Sequence, residues 1–88
     1  MSYTLDFTRK AKEDIEFFKK SGNKSVLNKI NTLIEVILES PYIGAGKPEP
    51  LRYDLSGYWS RRINREHRMV YEVVDEIIII HSVKGHYE

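Results

Sequence analysis

Apolar and polar residues alternate at the start of the chain, and the spacing of the apolar residues then becomes helical. Tyr3, Leu5 and Phe7 alternate with polar neighbours, which predicts a strand with one apolar face. Thr8 follows as a candidate N-cap, and apolar residues continue at helical spacing as far as Phe18. The pattern therefore predicts a strand followed at once by a helix.

A second, longer helix is the clearest element of the sequence. Residues 21–23 separate it from the first helix, and so short a connection predicts an antiparallel hairpin. Pro41 ends the second helix because the residue before a proline is disfavoured in helical geometry. We interpret the apolar stripe of this helix as its core-facing side. The stripe consists of Val26, Leu27, Ile30, Leu33, Ile34, Ile37 and Leu38.

The second half of the chain predicts an antiparallel meander that follows a loop at residues 42–50. Isoleucine occupies all four positions from Ile77 to Ile80, so we expect this last strand to be central and covered on both faces. The predicted fold class is α+β, an antiparallel sheet of four to five strands with the helical hairpin on one face, in the order β-α-α-β-β-β(-β). Strands are predicted at residues 51–53, 58–64, 67–74 and 77–84, with turns at 56–57, 65–66 and 75–76.

Side-chain parity along these strands predicts two different sheet faces. Arg62 and Arg68 alternate with the apolar residues of their strands and so lie on the opposite face of the sheet. We expect them to project together from the face that the helices leave open. The loop that carries Glu49 should border this face. The apolar parity, which should face the helices, contains Trp59, Ile63, Met69, Tyr71 and Val73.

Length and composition exclude several classes of protein. We expect residues 1–88 to form one domain, and 41% hydrophobic with 31% charged residues is typical of a folded chain. Cysteine is absent, which excludes a disulfide framework and a thiolate metal site. Neither a leader-like N-terminus nor an apolar run of membrane-spanning length is visible, so we expect a cytoplasmic location and no membrane partner.

Positive charge is concentrated in one stretch of the chain. Residues 47–68 contain six Lys and Arg against three Asp and Glu, whereas residues 1–46 contain seven against six. Residues 69–88 contain one against four. This distribution favours an anionic partner at residues 47–68, although an ordinary solvated strand face would have the same pattern.

The chemistry that these residues suit is cleavage of a phosphodiester without a metal. Such a reaction needs a base for the 2′-hydroxyl, positive donors for the phosphate and an acid for the leaving oxygen. Glu49, which lies between two prolines, can be the base, with Arg62 and Arg68 as donors. His86 can be the acid, and Tyr87 can stack on a base or donate its phenol. We expect no metal and no other cofactor.

Simpler interpretations stand beside this one. Glu49 can be an exposed loop residue without a role. His81 alternates within an apolar strand and suits a structural histidine, while His67 lies beside a turn and suits a solvated one. From the residues alone, the chain is a small α+β domain with an anion site.

Four short segments resemble the YoeB (Txe) toxins of bacterial type II toxin–antitoxin modules, which are part of the RelE superfamily. They are G-K-P-E-P-L at 46–51, L-S-G-Y-W-S-R-R-I at 55–63, E-H-R-M-V-Y at 66–71 and H-Y at 86–87. The resemblance implies a compact sheet with two helices and an endoribonuclease that cleaves messenger RNA in the ribosomal A site.

The resemblance also implies a role for individual residues. The general base of the family falls on Glu49, its key arginine on Arg68, its general acid on His86 and its orienting tyrosine on Tyr87. Supporting basic positions, expected to bind the RNA phosphates, fall on Lys47, Arg52 and Arg62. The implied partners are a YefM-like antitoxin, the ribosome with its messenger RNA, and a second copy of the chain.

Two alternatives use the same scaffold. The ParE group resembles RelE in fold but inhibits DNA gyrase by protein contact, without catalysis. The second alternative is an inactive RNA-binding module. A gyrase inhibitor has no need of an acid–base pair, so Glu49 and His86 are the residues that distinguish these classes.

Overall fold

The computed structural model describes residues 2–52 and 57–85 of the 88-residue chain. It confirms the predicted α+β class, with two helices and a five-stranded sheet. The elements are β1 (Thr4–Phe7), α1 (Arg9–Lys20), α2 (Lys24–Glu39), β2 (Glu49–Pro50), β3 (Tyr58–Arg62), β4 (Arg68–Val74) and β5 (Ile77–Ser82).

Both helices begin at side-chain caps. The hydroxyl of Thr8 accepts a hydrogen bond from the backbone N–H of Ala11 at 3.1 Å, as the sequence predicted. The side chain of Asn23 accepts from the N–H of Val26 in the same way at 3.3 Å. In the described part of the chain, neither helix is both long and apolar enough to cross a bilayer.

The sheet has the strand order β1-β5-β4-β3-β2. The meander from β2 to β5 is antiparallel as predicted, and β5 lies inside the sheet. The pairing of β1 with β5 is parallel, so the sheet is mixed where we expected antiparallel pairing throughout. A period-two pattern predicts which face of a strand is apolar, but it does not predict the neighbouring strand or its direction.

The hydrophobic core lies between the helical hairpin and one face of the sheet. Leu33 and Ile37 of α2 are fully buried, and truncating either one to alanine should cost about 2–5 kcal/mol of folding free energy. The opposite face of β5 is less covered than we predicted, because Ile77 is 43% exposed. The buried cluster comprises Ala11, Phe18, Val26, Ile30, Leu33, Ile37, Ile63, Met69, Tyr71, Ile78, Ile80 and Val83.

The connection between β3 and β4 is longer than the two-residue turn predicted at residues 65–66. β3 ends at Arg62 and β4 begins at Arg68. Between them, the side-chain oxygen of Asn64 accepts from the N–H groups of Glu66 at 2.9 Å and His67 at 2.8 Å. These local hydrogen bonds compete with strand pairing and open the hairpin end into a five-residue loop.

The short edge strand also lies earlier than predicted. We expected a strand at residues 51–53, with Glu49 in the preceding loop, but the strand is Glu49–Pro50. A proline is tolerated here because β2 is at the edge of the sheet, where one side of the backbone needs no ladder partner. Tyr53, and Ser56 of the predicted turn, lie outside the described residues.

Candidate functional site

A tight turn after α2 leads the chain onto the sheet edge where Glu49 lies. Gly46 has φ +85° and Lys47 has φ +51°, and the carbonyl of Gly46 accepts from the N–H of Arg62 at 2.7 Å. A Cβ at Gly46 would lie 3.0 Å from the Leu33 side chain. Glycine is therefore required at this close approach. The turn places Glu49 opposite Ser60 of β3.

A buried arginine holds the segment that leads into this turn. Arg61 is fully buried, and its guanidinium donates to the carbonyls of Ser40 at 2.6 Å, Ile43 at 2.9 Å and Ala45 at 2.8 Å. Its Nε donates to the hydroxyl of Tyr71 at 3.0 Å. Three hydrogen bonds from one charged group therefore hold this segment against β3, and the fourth ties the same group to β4.

Tyr71 completes the arrangement from β4. Its hydroxyl donates to the carbonyl of Pro41 and accepts from Arg61. Burial raises the pKa of Tyr71 above its ordinary value, and the hydrogen bond and positive charge of Arg61 oppose part of that rise. The phenol therefore stays protonated, as its donation to Pro41 requires.

The role of Arg61 was not predicted from the sequence. A signal was available, because Arg61 has the same strand parity as Trp59 and Ile63, which we had assigned to the helix-facing side. An arginine on an apolar face is expected to be buried and paired.

The candidate site is centred on Arg68 and Glu49. Arg68 is 6% exposed, and its Nε donates to the hydroxyl of Ser60 at 3.2 Å. Its Nη2 lies 3.8 Å from Oε1 of Glu49, too far for a hydrogen bond, while the Glu49 side chain is 63% exposed. Among residues 2–52 and 57–85, the buried Nη2 has no hydrogen-bond partner. The geometry thus combines a fixed, desolvated guanidinium with an accessible carboxylate.

Arg62 lies beside this pair. Its Cα is the register partner of Arg68 across β3 and β4, so both side chains leave the same face of the sheet, as the parity predicted. Arg62 is exposed, whereas Arg68 is buried. Like charges directly opposite each other on a sheet are destabilising, and an anion bound between them would relieve that repulsion. Lys47 and Arg52, on the chain flanking Glu49, are exposed.

The end of the described chain is anchored next to Arg68. The backbone N–H of Arg68 donates to the carbonyl of Gly85 at 2.9 Å, and the N–H of Gly85 donates to Nδ1 of His67 at 3.1 Å. The His67 ring packs edge-on against Phe18 with centroids 5.0 Å apart. Our expectation of a solvated His67 was therefore wrong, because this ring is half-buried and bonds the backbone. His86 and Tyr87 lie outside the described residues.

Within the ranges that the structure describes, no three His, Asp or Glu side chains are grouped so that they could hold a metal ion. Among the described residues, the charged groups at the centre of the site are Glu49, Arg68 and the neighbouring Arg62, with Lys47 and Arg52 flanking them.

Comparison with known proteins assigns the chain to a family. Residues 7–87 match the model of the YoeB-like toxin of bacterial type II toxin–antitoxin systems. A relative described as toxin YoeB from a Synechocystis strain is 48% identical over 84 residues, which are 96% of each chain. The chain therefore belongs to the YoeB-like family of type II toxins.

Solved structures agree with the described fold. A YoeB/ParE toxin from Agrobacterium tumefaciens superimposes with a TM-score of 0.91 at 40% identity, covering 96% of this chain and 99% of that one. A YoeB dimer from Staphylococcus aureus has a TM-score of 0.88, and YoeB in a heterotetrameric YoeB–YefM complex from the same organism has 0.86. Each of these two is 44% identical, with 97% of this chain and 98% of the other covered.

Proposed function

We propose that this toxin is an endoribonuclease that cleaves messenger RNA in the ribosomal A site, and that residues 1–88 act as one toxin domain. The observation that supports the proposal most strongly is the pairing of an exposed Glu49 carboxylate with a buried Arg68 guanidinium whose Nη2 has no hydrogen-bond partner among the described residues. In-line attack of a 2′-hydroxyl on its neighbouring phosphate requires a base and a positive donor close together.

The phosphate is bound by Arg68 and Arg62. A phosphate oxygen that accepts from Nη2 of Arg68 would satisfy a buried donor, and such charge-assisted bonds are among the strongest in proteins. Ser60 restricts the guanidinium by accepting from Nε, so the remaining N–H groups keep one direction. Arg62, opposite Arg68, adds a second positive charge to the developing negative charge on the phosphorus oxygens.

Glu49 is the general base. Its carboxylate is 63% exposed and lies 3.8 Å from Nη2 of Arg68, so an RNA whose phosphate is on Arg68 brings a 2′-hydroxyl to the carboxylate. The hydroxyl proton passes to Glu49, and the oxygen forms the new bond to phosphorus as the P–O5′ bond breaks. The products are a 2′,3′-cyclic phosphate and a 5′-hydroxyl end.

His86 is the general acid that protonates the leaving 5′-oxygen, and Tyr87 orients a neighbouring base. Support for these roles comes from the match of the H-Y segment to the family and from the backbone that precedes it. Gly85 is bonded through both its N–H and its carbonyl to His67 and Arg68, which fixes the start of the segment beside the phosphate site. Lys47 and Arg52 bind the flanking phosphates of the messenger RNA.

The proposed partners follow from the relatives. A YefM-like antitoxin neutralises the toxin by binding across this surface, in keeping with the YoeB–YefM complex of the S. aureus relative. A second copy of the chain forms a homodimer, in keeping with the YoeB dimer from the same organism. The ribosome supplies the positioned messenger RNA.

Mapping of messenger RNA 5′ ends after brief induction tests the proposal. New 5′-hydroxyl ends at a fixed offset from translating ribosomes are expected from the wild type and from Glu39→Gln, an exposed control. They should be absent from Glu49→Gln. Intact transcripts with stalled replication would contradict the proposal and favour the gyrase inhibitor, while ribosome binding without new ends would indicate an inactive RNA-binding module.

A further inference from the structure

A second polar cluster lies on the open sheet face. Nε2 of His81 is 2.7 Å from Oε1 of Glu72, and the His81 ring stacks on the ring of Tyr58, with centroids 4.6 Å apart and planes inclined by 17°. The side chains of His81 and Glu72 are 25% and 24% exposed. We name Tyr58, Glu72 and His81 the aromatic–acid cluster.

Strand alternation directs His81 to this face, because Ile79, two residues earlier, pairs with Glu72. An irregularity in the sheet brings the next residue, Ser82, to the same face. Val70 pairs with Ser82 while the next residue, Tyr71, pairs with Ile80, so His81 is the extra residue of a β-bulge. A bulge re-aims a side chain at the cost of local ladder pairing, and bulges are common next to active sites. Without it, the alternation of β5 would not bring both His81 and Ser82 to the side of β4 where Glu72 and Val70 lie.

The cluster is the direct continuation of the phosphate site. Tyr58 is two residues before Ser60 on β3 and pairs with Glu72 on β4. Residues two apart on a strand point to the same face and are separated by about 7 Å. Because Ser60 holds Arg68, the aromatic–acid cluster lies one side-chain row away from the guanidinium.

We propose that the aromatic–acid cluster is a nucleobase subsite, which binds the base of a nucleotide adjacent to the cleaved phosphate of single-stranded RNA. This inference rests on the proposed endoribonuclease function. Aromatic rings and histidine are the side chains on which unstacked RNA bases pack, and every base offers a face for that contact. The base would extend the Tyr58–His81 stack.

Glu72 fixes the orientation of the His81 ring. A carboxylate can only accept, so the short contact makes Nε2 the protonated nitrogen, and the face of the ring turned away from Tyr58 is the one on which a base can stack. Stacking on Tyr58 and the bond to Glu72 hold the ring from two directions. A preorganised ring loses little freedom when RNA binds, which makes it a specificity element and not only a packing contact.

Cleavage of a defined messenger RNA on purified ribosomes tests the subsite. A single abasic nucleotide is placed at each position flanking the cut, and the wild type is compared with His81→Ala. We expect one position where loss of the base slows the wild type about tenfold and slows His81→Ala no further. His81→Phe, which keeps the stack, should retain most of the dependence on that base. Glu72→Gln should weaken the dependence because the His81 ring loses its charged partner, whereas Glu76→Gln, an exposed acid in the turn before β5, should leave it unchanged.

The inference would be overturned if each abasic position slowed the wild type and His81→Ala by the same factor, even if both proteins cleave well. A purely structural stack would instead lower thermal stability in His81→Ala without changing the dependence on any base. If the wild type cleaves no RNA, the proposed function fails, and binding then decides the subsite. In that case the ring resonances of Tyr58 and His81 should shift on titration with a short 2′-O-methyl single-stranded RNA, and unchanged resonances would overturn it.

Discussion

Nη2 of Arg68 lies 3.8 Å from Oε1 of Glu49, and this separation leaves a buried guanidinium N–H without a hydrogen bond in the described part of the chain. A buried charge with so weak a partner costs folding free energy. Ser60 accepts from Nε and so limits rotation of the guanidinium, while Nη2 faces the Glu49 carboxylate at 3.8 Å. The arrangement suits a site in which a phosphate oxygen supplies the missing acceptor.

Replacing Glu49 by glutamine should remove the base and leave the fold intact. We expect single-turnover cleavage on programmed ribosomes to fall about 10²- to 10⁴-fold, the usual contribution of a general base. The melting temperature should stay unchanged because the side chain is 63% exposed. Glu39→Gln, at the end of α2, is the matched control, and a Glu49→Gln protein with wild-type cleavage would exclude this residue as the base.

Ser60→Ala should act through Arg68. Loss of the acceptor frees Nε and lets the buried guanidinium rotate, and we expect cleavage to slow about tenfold, as for loss of one well-oriented hydrogen bond to a charged group. Ser82→Ala removes the same kind of hydroxyl, buried but without a hydrogen-bond partner in the described ranges, and should have little effect. The pair is compared by cleavage rate and by urea unfolding, and equal rates in the two variants would contradict the orienting role of Ser60.

Arg61→Lys should destabilise the fold more than any substitution of an exposed arginine. Lysine cannot reach Ser40, Ile43, Ala45 and Tyr71 together, so the buried charge loses most of its acceptors and we expect a loss of about 3 kcal/mol or more in unfolding free energy. Arg62→Lys on the next residue should change it by less than about 0.5 kcal/mol. Urea denaturation measures both, and a small loss for Arg61→Lys would mean that the segment after α2 is held by other contacts.

Stability should fall at alkaline pH through Tyr71. Its pKa is raised in the folded protein, so the folded state favours the protonated phenol over the phenolate. That contribution is fully present below the unfolded pKa of about 10 and is lost as the pH rises through the folded pKa. Unfolding free energy measured from pH 8 upward should therefore decline more steeply in the wild type than in Tyr71→Phe. Parallel profiles would indicate that the phenol does not ionise in this range.

The helices were predictable because their signals are local. Thr8 caps α1 through an atom three residues away, and Pro41 acts on its neighbour, so a short stretch of sequence contains the whole cause. The shared face of Arg62 and Arg68 was predictable for the same reason, since strand parity depends only on counting. The parallel partner of β1 was not predictable, because it depends on contacts between the two ends of the chain.

The interior of the candidate site needed the structure. The sequence indicates that Glu49 and Arg68 belong to one basic stretch, but the burial of Arg68, its bond to Ser60 and the support from Arg61 depend on how β2, β3 and β4 pair. The β-bulge at His81 also changes parity within a strand, and simple alternation cannot reveal it. The features of the site that depend on a short stretch of sequence could therefore be predicted, whereas those that depend on strand pairing could not.

Cleavage of a messenger RNA with one 2′-deoxynucleotide on the 5′ side of the cut tests whether the 2′-hydroxyl is the nucleophile. The purified toxin and ribosomes are supplied with this RNA or with its all-ribose counterpart, and the ends of the products are identified. We expect a 2′,3′-cyclic phosphate and a 5′-hydroxyl from the ribose RNA and no cut at the deoxy position. Cleavage of both RNAs at equal rates would contradict attack by the 2′-hydroxyl and the role of Glu49 with it.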